Sequence, residues 1–275
     1  MSGLWSPRPL LIAGPCVLDR DEVNLAIASN LAALSARLGV SVVFKGSFDK
    51  ANRSAARAPR GPGIERGLSA LQRVREATGL PVVTDVHDVS QVDAVAAVVD
   101  AIQIPAFLCR QTDLLEAAGR TRKPVNIKKG QWMAPEDMRG AVEKVRRGGC
   151  DEVAVTERGS FFGYGELVVD MRGLGRMKTV AGATVLFDAT HAVQRPGRGP
   201  DGSSGGTRAD VPALLLAAAA AGADGFFLET HPEPATASSD AASMWPLNEL
   251  ESLMERALAV WHAARETGAV RWLTP

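Results

Sequence analysis

Eight short, near-continuous apolar runs, each followed by a stretch of helical periodicity, dominate this sequence. The runs are Leu10–Ala13, Ser41–Lys45, Pro81–Asp85, Ala101–Ile104, Pro124–Lys128, Glu152–Thr156, Thr184–Asp188 and Gly225–Glu229. Apolar residues at consecutive positions mark strands buried on both faces, as in parallel sheets. Between the runs, Val23, Ile27, Leu31, Leu34 and Leu38 share one helical face that ends at Gly39, and Ile64, Leu68, Leu71 and Val74 share another that ends at Gly79. Ser90 with Asp93 resembles a capping box. Pro135 suits a first helical turn, Gly148-Gly149 suits its end, and Asn248 to Thr267 reads as a long last helix. Eight strand–helix units in 275 residues predict an α/β fold, a single (β/α)8 TIM barrel domain over 1–275. A doubly wound open sheet is the rival. No Gly-x-Gly-x-x-Gly follows any strand, which counts against its dinucleotide-binding version.

Composition narrows the function. Thirty-one basic residues balance 31 acidic ones, so no bulk positive charge is available to hold nucleic acid, and anions must be bound by local cations. Three cysteines with no disulfide spacing predict a reduced, cytoplasmic setting. The start of the chain lacks the pattern of a signal peptide. The most apolar run, Val211 to Leu228, contains Pro212, Gly222, Asp224 and Gly225, and reads as a buried helix and strand, not a membrane span. The loop QRPGRGPDGSSGGTR, 194–208, has the composition of a mobile lid.

The apolar runs end in polar residues on one side. Lys45, Asp85, Lys128 with Lys129, Arg158, His191 and Glu229 all lie at or just beyond C-terminal strand ends, the face that carries barrel active sites. Two groups emerge. Lys45, Lys50, Arg53, Lys128 and Arg158, with Arg57, Arg60, Arg110 and Arg208 as outlying candidates, suit a ligand with several negative charges. Closing the barrel would make strands seven, eight and one neighbours, bringing His191, Glu229 and Cys16 together, with Asp240 from the loop after strand eight. That set could hold a divalent metal; a thiolate disfavours magnesium and calcium and leaves zinc, iron, manganese or cobalt. A lone cysteine is also commonly a buried small residue. His87 and His231 stand near strand ends as alternative ligands or substrate contacts.

Longer motifs carry a specific resemblance. FKGSFDKANRS (44–54), RGPG (60–63), TDVH (84–87), IQIPAFLCRQTDL (102–114), VNIKKGQ (125–131), ERGSFFGYGELVVDM (157–171), FDATHA (187–192), SGGTR (204–208) and ETHP (229–232) resemble the 3-deoxy-D-manno-octulosonate 8-phosphate synthases, collinearly over residues 10–265. The resemblance implies a (β/α)8 barrel, a homotetramer, and condensation of phosphoenolpyruvate with D-arabinose 5-phosphate and water. The products are inorganic phosphate and an eight-carbon sugar acid phosphate for the lipopolysaccharide inner core. It implies no nucleic acid and no membrane as partners.

By that resemblance Lys45, Ser47, Lys50, Gln103, Ala106, Lys128 and Arg158 bind phosphoenolpyruvate. Asn52, Arg53, Ser54 and a neighbouring subunit's Arg110 bind the sugar phosphate. Lys50, Asp85, His87 and His191 are the candidates for proton transfer. The family has metal-dependent and metal-independent forms, the latter with Asn in place of the first-strand Cys and a Cys-Asp-Gly-Pro signature near the last acidic residue. AGPC (13–16) and SSDAAS (238–243) point to the metal-dependent form, with Cys16, His191, Glu229 and Asp240 as ligands. Gly46, Gly130 and Phe161 depart from the family pattern, and the two glycines are expected to loosen loops. The sister synthases of 3-deoxy-D-arabino-heptulosonate 7-phosphate, which use erythrose 4-phosphate, show Lys-Pro-Arg-Thr-Ser where this chain has KANRS. A class II aldolase would also use a metal in a barrel, but should cleave a sugar phosphate without phosphoenolpyruvate. A non-catalytic barrel serving as a binding module would hold ligands without turnover.

Overall fold

In a computed structural model, residues 3–5, 9–52, 57–162, 165–199 and 204–268 are described. The eight apolar runs form eight parallel strands: β1 (Leu10–Val17), β2 (Ser41–Ser47), β3 (Val82–Asp85), β4 (Ala101–Ile104), β5 (Val125–Lys128), β6 (Val153–Glu157), β7 (Thr184–Asp188) and β8 (Gly225–His231). They pair in chain order. β8 then pairs back to β1, with Leu10 opposite Gly225 and Gly14 opposite Glu229, so the sheet closes into a barrel. The surrounding helices are α1 (Asp21–Leu38), α2 (Ile64–Thr78), α3 (Val92–Ala96), α4 (Thr112–Arg120), α5 (Met138–Gly148), α6 (Arg172–Ala181), α7 (Val211–Ala220) and α8 (Leu250–Glu266). Gly39 stops α1 in the left-handed conformation, φ 64°, its N–H returning to the Ser35 carbonyl.

Alternate strand residues build two layers. Leu11, Val42, Phe44, Ile102, Ile127, Val155, Phe187 and Phe226 point out and pack under the helices. Leu10, Ile12, Val43, Val83, Ala101, Ala154, Leu186 and Phe227 fill the interior together with Trp5. Trp5 is fixed there by its indole N–H to the Glu152 carbonyl at 3.2 Å and by its own carbonyl, which accepts from Thr184. Two residues further up the inward register, apolar gives way to polar: Val43 to Lys45, Val83 to Asp85, Ala101 to Gln103, Ala154 to Thr156, Leu186 to Asp188, Phe227 to Glu229. One end of the barrel is therefore packed with hydrocarbon and the other with buried charge.

Several local expectations change. β1 does not stop at Ala13; it runs through Gly14-Pro15 to Val17, with a register shift against β2 between Ala13 and Cys16. Such a shift re-aims side chains beside active sites, and Cys16 lies in this strand, not in a loop. Asp88, not Ser90, caps the turn before α3, accepting from the Ser90 N–H at 2.8 Å. Gly46 lies inside β2, where Leu18 occupies the space of its missing side chain, so it loosens no loop. The base of the 194–208 loop is a two-rung antiparallel ladder, Gln194 with Gly206 and Arg195 with Gly205.

At Gly14, β1 and β2 leave no room for a side chain: a Cβ there would stand 1.9 Å from the Lys45 carbonyl oxygen, backbone that cannot swing away. Gly14→Ala is therefore expected to lower stability by about 2–3 kcal/mol, read as a drop in the urea midpoint. An unchanged midpoint would contradict this packing.

Candidate active site

The C-terminal mouth holds two adjoining cavities, of about 440 and 230 Å³. Lys50, Asn52, Phe107, Gln131, Arg158 and His191 line both, and so form the wall between them. The smaller is built on β2 to β7: Lys45, Asp85, His87, Gln103, Ala106, Lys128 and Asp188 line it. The larger opens towards the base of the 194–208 loop and the 237–242 segment, including Asp240.

Each buried charge here has a partner that explains its survival away from water. Lys45 donates to the Cys16 carbonyl at 2.9 Å and to Ser47 Oγ at 2.7 Å; Ser47 passes a 2.5 Å hydrogen bond to Asp85 Oδ1. Asp85 Oδ2 faces His87 Nε2 at 3.2 Å. Burial alone would raise Asp85, but Lys45, His87 and Lys50 hold it well below the usual carboxylate range. Ser47 thus lies beneath the cavity, joining Lys45 to Asp85. Lys128 Nζ stands 3.1 Å above the Phe227 ring and pairs with Asp188. Burial pushes Lys128 down to about 8, against the pull of Asp188. Burial also acts against the charge of Lys50, but Cys16, Glu229, Asp85 and Asp240 outweigh it and keep the ammonium well above its usual range. Lys129 turns away from Lys128 into a wholly buried pocket with Glu157 at 3.6 Å and Ser160 Oγ at 3.1 Å, and lines neither cavity.

The second predicted group also converges. Cys16, Glu229 and Asp240 offer ligand atoms that all lie within 4.8 Å of one another. His191 joins at the edge, Nε2 standing 3.6 Å from Glu229 Oε1. Its other nitrogen, Nδ1, is 2.7 Å from Asp188 Oδ2, the carboxylate–imidazole arrangement that orients ligating histidines. Cys16 Sγ donates to Asp240 Oδ2 at 3.0 Å. Burial, with Glu229 and Asp240, pushes the thiol well above its usual range. Glu229 is fully buried with Lys45 Nζ 3.6 Å from its Oε1, yet neither of its oxygens accepts a hydrogen bond among the described residues. A carboxylate left so beside a thiol, a second carboxylate and a free imidazole nitrogen fits a thiophilic divalent cation. The backbone agrees: among the described residues, Cys16 (φ 70°) and Asp240 (φ 54°) are two of three non-glycine residues with positive φ, and such strain collects at functional sites.

Other expectations shift. Arg53 and Ser54 lie outside the described residues. Arg110 is exposed and lines neither cavity of its own chain. Arg60 is engaged by Asp49 through both Nε and Nη2. Exposed Phe161 lines the larger cavity. His231 is buried, 3.5 Å from Asp19, and Cys109 and Cys150 are buried and free. Beyond the residues expected from the sequence, Asp188, Gln131, Phe107 and Gln194 also line the cavities. Asp188 closes an apolar run as Asp85 does and carries the same signal; the other three are neutral residues with no pattern to mark them.

No described helix is long and apolar enough to cross a membrane. A family model described as the DAHP synthetase I family matches residues 6–264. Relatives named 2-dehydro-3-deoxyphosphooctonate aldolase are similar along nearly the whole chain. That of Syntrophotalea carbinolica is 56% identical over 250 residues, 91% of this chain and 90% of its own. That of Nitratidesulfovibrio vulgaris is 52% identical over 254 residues, 92% of each, and that of Stenotrophomonas maltophilia 49% over 266 residues, 96% of each. The chain belongs to the DAHP synthetase I family.

Proposed function

We propose that this chain condenses phosphoenolpyruvate with D-arabinose 5-phosphate and water to give 3-deoxy-D-manno-octulosonate 8-phosphate and inorganic phosphate. The observation that carries the reading is the pair of cavities sharing one polar wall: two anionic substrates need two compartments whose reacting ends meet. The relatives' name, the resemblance of the motifs and Asn52 in the shared wall favour the five-carbon sugar over erythrose 4-phosphate. The finer statements belong with this reading: a cytoplasmic homotetramer in which Arg110 serves a neighbouring subunit's sugar-phosphate site.

In this mechanism Lys45, Lys128 and Arg158 bind phosphoenolpyruvate in the smaller cavity, with Gln103 and Ala106 beside it. Gln103 is held by Asn126, whose amide donates to Gln103 Oε1 at 3.0 Å. Asn52 takes the sugar phosphate in the larger cavity, and by the resemblance Arg53 and Ser54 serve the same group. The enol carbon attacks the aldehyde, water adds at the carbon bearing phosphate, and the C–O bond to phosphate breaks. Lys50, in the shared wall and held strongly cationic, stabilises the charge developing on the aldehyde oxygen. The Asp85–His87 pair carries protons: Asp85 engages Nε2, and the buried Nδ1 has no other partner among the described residues.

Cys16, His191, Glu229 and Asp240 would hold a divalent metal, Zn, Fe, Mn or Co. When bound it supplies Lewis-acid polarisation of oxygen ligands and lowers the pKa of water. The charge balance supports it. Lys45, Lys50, Lys128 and Arg158 are already matched by Asp85, Asp188, Glu229 and Asp240, so multiply charged substrates call for further positive charge.

Purified protein is expected to release phosphate from phosphoenolpyruvate with arabinose 5-phosphate, much less with erythrose 4-phosphate, and to lose turnover on chelation. No turnover with arabinose 5-phosphate would end the substrate assignment, and full activity after complete metal removal the metal role. Lys128 gives a pH signature. Raising pH through about 8 discharges it in the free enzyme, so kcat/KM for phosphoenolpyruvate should be halved near that pH, fall further above it and be level only about a unit or more below it. A profile flat to about pH 9.5 would contradict Lys128 as a phosphoenolpyruvate ligand.

A further inference from the structure

Gln194 stands where the two halves of the site touch. It is nearly buried, 8% exposed, at the end of the ladder that closes the 194–208 loop. Its Oε1 accepts from Arg158 Nη2 at 2.5 Å, and its Nε2 donates to Asp240 Oδ1. The amide therefore has one orientation. Turned over, it would set N–H against a guanidinium and carbonyl against a carboxylate.

Each neighbour is itself poised for a ligand. Arg158 is buried, and its Nη1 has no acceptor among the described residues, although the residue lines both cavities. Asp240 holds a left-handed backbone, and its Oδ2 accepts from Cys16 at 3.0 Å and Ser239 at 2.7 Å. A run from cation through amide to carboxylate polarises in one direction, so ordering either end orders the other.

We propose that Gln194 is a positioning residue that couples Arg158 to Asp240, so that phosphoenolpyruvate and the metal each bind more tightly when the other is present. This rests on the reading of Arg158 as a phosphoenolpyruvate ligand and Asp240 as a metal ligand. A second bridge runs parallel: Asp188 joins Lys128 to His191. Gln194 is the informative one because it carries no charge. Replacing it by the similarly shaped methionine leaves every formal charge and the Asp188 bridge in place, so only the hydrogen-bonded path through Gln194 is lost.

The test is a binding cycle on metal-stripped protein without sugar, so that no turnover occurs. Cobalt is titrated through its thiolate absorption with and without saturating phosphoenolpyruvate, and phosphoenolpyruvate is titrated calorimetrically with and without cobalt. In the wild type each ligand should tighten the other by the same factor, about tenfold, a usual size for coupled sites. In Gln194→Met both should still bind, with the factor reduced to about threefold, the remainder carried by charge attraction and the Asp188 bridge. Should that variant fail to fold, Gln194→Glu serves: it still accepts from Arg158, sets a carboxylate against Asp240, and should weaken the coupling too. Independent binding in the wild type, or undiminished coupling in a folded variant, overturns the inference alone. A wild type that binds no cobalt or no phosphoenolpyruvate overturns the underlying reading, and the coupling with it.

Discussion

Burying charge at one end of a barrel is the constraint on which the rest of this molecule depends. Lys45, Lys128, Asp85, Asp188 and Glu229 stand on the same inward register that a few ångströms lower carries Val43, Leu186 and Phe227. An isolated ion in such a place would neutralise or unfold its surroundings. Here the ions are laced together: Lys45 through Ser47 to Asp85 and on to His87, Lys128 to Asp188 and on to His191. The lacing fixes ring orientations. Among the described residues of this mouth, His87 Nδ1, Arg158 Nη1 and both oxygens of Glu229 make no hydrogen bond, although Lys45 Nζ stands 3.6 Å from Glu229 Oε1. That is the pattern of a site prepared for ligands and not of an ion network built for stability.

The two positive-φ residues at the candidate metal group extend this. Cys16 follows the register shift after Ala13, holds a left-handed backbone and places its sulfur 3.0 Å from Asp240 Oδ2. Asp240, 224 positions away, meets it from an equally unusual backbone.

The fold was legible because its signal is redundant. Each strand announces itself by an apolar run bounded by glycine, proline or charge, and most observed strand limits fall close to the ends of the runs. Helix ends were legible where a glycine is needed, as at Gly39, Gly79 and Gly149. The end of β1 at Val17 was hidden because Gly-Pro usually ends a strand, and here it marks a bulge instead. Charged site residues were legible because charge at the end of an apolar run is costly to bury. Gln194 and Gln131 were not, since a neutral amide costs little anywhere and its importance lies wholly in what flanks it. The convergence of Cys16, Glu229 and Asp240 followed from closing the barrel; the outlying position of His191 did not, being set by its bond to Asp188.

X-ray absorption at the metal edge of zinc-loaded protein probes the proposed metal site on the strand cysteine. It is expected to show one sulfur at about 2.3 Å among nitrogen and oxygen ligands at about 2.0–2.2 Å. A fully loaded site with no sulfur in its coordination shell would contradict it.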